Sequence, residues 1–175
     1  MMKLLETEQY RHEFTNAVTD ATFQISEEEL VHTYLDIFTE PAYANALLND
    51  SILSEKYQRY IKEKLISPII SDIELEINKA KSIKRDNSKG RYNAGISLMN
   101  QADKLLSRLK KILSVADMRY QLIADKLGLE ILQCGIDYFN NSDDADAAHK
   151  AMKLQNYAHS VVIGQMAIDR CKQNT

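Results

Sequence analysis

The chain has 175 residues, 45% of them hydrophobic and 27% charged, which suits one domain with a real core. Five Gly, two Pro and no Trp are too little punctuation for the many turns of a β protein. A net charge of −3 and a pI near 5.8 argue against a nucleic-acid module that is basic all over.

That total hides a sorted distribution. Residues 1–55 carry two bases against eleven acids, residues 56–111 fourteen against six, and residues 112–175 six against eight. Blocks of this kind either neutralise one another inside one fold or face an outside partner.

Apolar residues recur at spacings of three and four almost throughout, which is the helical period. Leu4, Tyr10, Phe14, Ala17, Val18 and Ala21 outline a first helix. Ser26-Glu27-Glu28-Glu29 is a capping box that opens a second, with Leu30, Val31, Tyr34, Leu35 and Phe38 as its apolar stripe. Glu40-Pro41 stops it, and Pro41 can open a short helix over Tyr43 to Leu48. From Ser54 a long helix turns Tyr57, Tyr60, Ile61, Leu65 and Ile66 inward, then Ile69, Ile70, Ile73, Ile77 and Ala80. Pro68 should kink it or split it in two.

Arg85 to Gly90 is the clearest loop. The next helix carries Tyr92, Gly95, Leu98, Ala102, Leu105, Leu109 and Ile112. Ser114 and Asp117 cap another over Met118 to Phe139. Asn140 to Asp144 turn the chain into a last helix from Ala145 to Cys171. The expectation is a single all-α domain over residues 1–175, a compact bundle or short solenoid of six to seven antiparallel helices.

Gly95, Gly128, Gly135 and Gly164 fall inside helical pattern, where each costs about 1 kcal/mol relative to Ala. Ala124, Gly128 and Gly135 share one face, and close helix packing is the expected compensation.

No P-loop, Gly-x-Ser-x-Gly elbow or His-Glu-x-x-His is present. Glu29-x-x-His32 and Asp146-x-x-His149 have the spacing of metal ligands on one helix face. Glu28, Glu29, His32 and Asp36 nevertheless form the side opposite Val31, Leu35 and Phe38, where ligands of a buried ion do not belong. No catalytic residue, cofactor or metal is therefore expected. Cys134 and Cys171, 37 residues apart, read as reduced packing residues of a cytoplasmic protein. The start has no apolar core of signal-peptide length, and runs such as Val161-Val162-Ile163 fall far short of the ~20 residues of a membrane span.

The basic middle is the better lead. Lys79, Lys81, Lys84, Arg85, Lys89 and Arg91 crowd one helix end and its loop. Lys104, Arg108 and Lys111 form a stripe at i, i+4 and i+7, widened by Lys110. Against Glu27, Glu28, Glu29 and Asp36 they make a candidate interaction surface of Lys84, Arg85, Lys104, Arg108, Lys111, Glu28, Glu29 and Asp36. The expected partner is another protein or a second copy; nucleic acid is the alternative, and a membrane is not expected.

Ile131, Cys134, Gly135 and Tyr138, followed by Ala147, resemble part of one tetratricopeptide repeat. In that family small residues let paired antiparallel helices pack closely, and stacked pairs form a peptide-binding groove. The resemblance covers one hairpin. Leu154 stands at the second small position and His159 at the helix-ending proline. A step of 34 residues from Gly135 lands on Gln101 or Asp169, so the period is not kept.

Overall fold

The structure, a computed structural model, describes Glu29, Thr33 and residues 54–173. The described residues form five helices and no strand: α1 (Glu55–Lys81), α2 (Ser88–Lys110), α3 (Met118–Asn141), α4 (Ala147–Val161) and α5 (Gln165–Gln173). The helices expected before Ser54 lie outside the described residues, apart from Glu29 and Thr33, which are both helical and exposed.

The core follows the periodicity. Ile66, Ile69, Ile73, Ile77 and Ala80 of α1 are buried against Leu98, Ala102, Leu106 and Leu109 of α2, with Ile123, Leu127 and Ile131 of α3 between them. Helix α1 runs through Pro68 without a break. The proline removes the N–H that would bond the Lys64 carbonyl, but it lies on the exposed side of the helix, where water can serve. Tyr60, expected inward, is on that outer side as well.

The starts of α2 and α3 are capped as their sequences suggest. The Gly90 N–H donates to Asn87 Oδ1 at 3.0 Å and the Arg119 N–H to Asp117 Oδ1 at 3.0 Å. Helix α2 thus begins inside the stretch read as a loop.

Helices α3 and α4 meet along small residues. A Cβ on Gly128 would lie 3.1 Å from the Ala158 carbonyl oxygen, and one on Gly135 would lie 3.2 Å from that of Ala151. The earlier glycine meets the later residue, so these two helices run in opposite directions. Their close approach replaces the helix propensity that the glycines forfeit. The buried stripe of α4 is Ala147, Leu154 and Ala158, with Ala151 and Tyr157 half-buried beside it.

The expected last helix is two. Val162, Ile163 and Gly164 leave the helix, and the Asp125 carboxylate of α3 accepts the N–H groups of Ile163 (2.7 Å) and Gly164 (3.0 Å). An acid donated by another helix thereby caps the start of α5. A Cβ at position 164 would press on the Asp125 carboxylate, so a larger residue there would displace the cap.

Candidate functional site

The basic residues of the middle segment have two different fates. Arg91, in the first turn of α2, is only 2% exposed. Its Nε donates to Asp137 Oδ2 at 2.8 Å, its Nη2 to Glu130 Oε1 at 3.0 Å and its Nη1 to the Ala80 carbonyl at 2.7 Å. That carbonyl stands at the end of α1, where it also accepts the Ile83 N–H at 3.2 Å. One guanidinium therefore joins the end of α1, the start of α2 and the second half of α3.

The two acids are buried with it, Glu130 at 7% and Asp137 at 5%. Gln133 Nε2 donates to Asp137 Oδ1 at 2.8 Å, and the Cys134 thiol lies 4.0 Å from Glu130 Oε1. Two ionised carboxylates on one guanidinium would leave a buried net charge of −1. Burial pushes the Glu130 carboxyl above the ordinary carboxylate range, outweighing the hydrogen bond from Arg91. Burial also pushes the Cys134 thiol up to about 12, so it stays protonated and unreactive. Among the described residues no buried side-chain nitrogen or oxygen lacks a hydrogen bond. The cluster is a saturated structural clamp, with no group left over for a substrate.

Arg91 belongs by sequence to the run of basic residues at the α1–α2 turn, but it is buried and not part of a surface. A signal was present: Glu130 and Asp137 stand seven residues apart on an otherwise apolar face of α3, with Cys134 between them. Buried acids need a cation.

The five other bases of the candidate surface, Lys84, Arg85, Lys104, Arg108 and Lys111, are all exposed, and no salt bridge among the described residues involves them. They do not form one patch. Lys84 and Arg85 precede α2 and the other three stand at its far end. Helix α2 has 23 residues and is about 34 Å long at 1.5 Å per residue.

The two ends also differ in surroundings. At the first, the Asn141 amide donates to the Arg85 carbonyl, which sets the α1–α2 turn beside the end of α3 and the acids that follow it. There Asp144 accepts hydrogen bonds from Lys150 (2.5 Å), the Asp146 N–H (2.9 Å) and Tyr138 (2.7 Å), which hold its carboxyl well below the usual range. At the second end, Asp103 is the nearby acid, and it accepts the Tyr157 hydroxyl at 2.6 Å. Burial and that bond raise the Tyr157 pKa. Lys104, Arg108 and Lys111 lie within an arc of about 60° on the helix, and no salt bridge among the described residues involves any of them.

Of the acidic candidates, Glu29 is exposed; Glu28 and Asp36 lie outside the described residues. Asp146 and His149 are both exposed, and among the described residues no three His, Cys, Asp or Glu side chains are grouped to hold a metal ion. No helix among them is long and apolar enough to cross a membrane. The chain matches no protein-family model, no curated protein and no solved structure.

Proposed function

We propose that the protein is a non-enzymatic helical interaction module that binds an acidic face of another protein through Lys104, Arg108 and Lys111. The observation that carries this reading is the exposure of all three side chains on one arc at the end of α2 and its C-cap, with no salt bridge to any of them among the described residues. A rigid helix presenting fixed cations gives steering and orientation at an interface, and little cost is spent on ordering the surface.

A protein fits better than a nucleic acid. The stripe spans about 10 Å of helix, enough for two or three carboxylates. Among the described residues the exposed large aromatics are Tyr60 and Phe139, on α1 and α3, so none stands on α2 to stack a base. The reading takes the whole chain as one cytoplasmic domain of six to seven antiparallel helices, with Glu28, Glu29 and Asp36 as an acidic face for self-association.

The test is recovery of partners by the tagged chain from its native lysate after nuclease treatment, beside Lys104→Glu/Arg108→Glu/Lys111→Glu. A protein held by the native chain and lost from the triple variant is the expected result. Equal recovery by both, or recovery abolished by nuclease, would overturn it.

A further inference from the structure

Helices α1 and α3 are joined by a ladder of surface ion pairs. Glu63 of α1 pairs with Arg119 of α3, and Glu74 with Lys126 at 2.8 Å. Lys81 stands next on the same stripe of α1: Glu63, Glu74 and Lys81 follow at spacings of eleven and seven, within an arc of about 20° at 100° per residue. Lys81 is exposed, and no salt bridge among the described residues involves it. The next acid on α3 after Lys126 is Glu130, one turn on.

Glu130 does not take that rung. It lies inward, 7% exposed, with Oε1 3.0 Å from Arg91 Nη2. The charged and titratable groups facing it are Arg91 of α2, Lys81 of α1, and Asp137 and Cys134 of its own helix.

The donors in this cluster are shared unevenly. Asp137 is served at both oxygens, by Arg91 Nε on Oδ2 and Gln133 Nε2 on Oδ1, each at 2.8 Å. Among the described residues Glu130 is approached at Oε1 alone, by Arg91 and by the Cys134 thiol at 4.0 Å. One guanidinium neutralises one carboxylate, and the better-served one is Asp137. The interior therefore keeps Glu130 as the neutral acid.

We infer that Glu130 is a proton-controlled switch: as the neutral acid it sits on Arg91 at the joint of α1, α2 and α3, and as the carboxylate it turns outward to Lys81. The released proton goes to water, and a buried charge is exchanged for a surface ion pair that extends the α1–α3 ladder. Glu130 already stands at the edge of the interior, so the turn needs only rotation about its own side-chain bonds. Arg91 keeps Asp137 and the Ala80 carbonyl, but water enters the place that Glu130 leaves, and the end of α1 and start of α2 loosen. The inward position holds at low pH and is lost as pH rises. Burial sets that loss above the ordinary carboxylate range, against the opposing pull of Arg91 and Lys81.

Two readings of the full-length chain from about pH 5 to about pH 9 test the switch. One is nuclear magnetic resonance of carbon-13-labelled glutamate carboxyls, with Glu130→Gln identifying the signal. The other is amide exchange over residues 80–92, corrected for the intrinsic effect of pH. Glu130 should titrate above the other glutamates, and protection over 80–92 should fall about tenfold across the same interval. In Glu130→Gln that protection should stay high throughout. Lys81→Gln, an exposed change that leaves the fold intact, should move both transitions to higher pH, and Lys81→Arg should leave them in place. Titration of Glu130 together with the other glutamates would overturn the inference. So would protection over 80–92 that stays flat while Glu130 ionises, or a titration that Lys81→Gln does not move.

Discussion

Arg91 and Arg108 stand on the same helix, seventeen residues apart, and have opposite roles. Arg91 is enclosed by two acids and a helix-terminal carbonyl; Arg108 faces solvent without a salt bridge among the described residues. The difference lies in what α3 offers each. Opposite the start of α2, α3 presents Glu130 and Asp137 to an interior that must neutralise them. Near the end of α2 it presents Tyr120, whose ring lies 5.9 Å from Lys110 Nζ. A basic residue in a sequence therefore says little about function until its partners are placed. Charge that the fold consumes holds the fold together, and charge it leaves over is available to a partner.

The comparison breaks first at the clamp. Asp137→Ala leaves the guanidinium underpaired in the interior and should cost about 3 kcal/mol in urea denaturation. A loss below about 0.5 kcal/mol would mean that Arg91 does not need its acid.

Next is the cap on α5. Asp125→Ala removes the acceptor of the Ile163 and Gly164 N–H groups and should cost about 1 kcal/mol, with faster amide exchange confined to α5 and its junction. If exchange rose evenly through the chain, the acid would be supporting the core instead.

A smaller effect sharpens the electrostatics. Because burial raises the folded-state pKa of Glu130, the folded protein binds its proton more tightly than the unfolded chain does. The associated stability is fully present below the ordinary carboxylate range near 4.5 and is lost as pH rises through the raised value. Glu130→Gln, neutral at every pH, should flatten that part of the stability profile. A profile as steep as the native one would assign the pH dependence to another group.

The smallest expected effect is at the other end of α2. Replacing Lys104, Arg108 and Lys111 with Glu should change unfolding stability by less than about 1 kcal/mol, most of it from unfavourable acids at a helix C-terminus. A larger loss would show that the stripe is consumed by the fold as Arg91 is.

Helical content, the α1 and α2 core stripes and the close-packed glycines of α3 could all be read in the sequence, because each depends on residues within one helix. What could not be read depends on residues far apart. Arg91 finds its acids 39 and 46 positions away, and Asp125 ends a helix 38 positions later. The run from Ala145 to Cys171 keeps its helical period through the break, so periodicity alone cannot show that a distant carboxylate divides it. Likewise Lys84 and Lys111 look like one basic segment in the sequence, until the straight helix between them sets them at opposite ends. The stripe at Lys104, Arg108 and Lys111 was legible because it too is local.

The division of α2 into a buried clamp and a free surface is tested most directly by one pair of matched substitutions. Arg91→Met and Arg108→Met remove the same charge and leave side chains of the same length, and both are read by urea denaturation of the full-length protein. The account predicts a loss of about 3–5 kcal/mol for Arg91→Met, which strands two buried acids, and a change within about 0.5 kcal/mol for Arg108→Met. Equal losses from the two would contradict it.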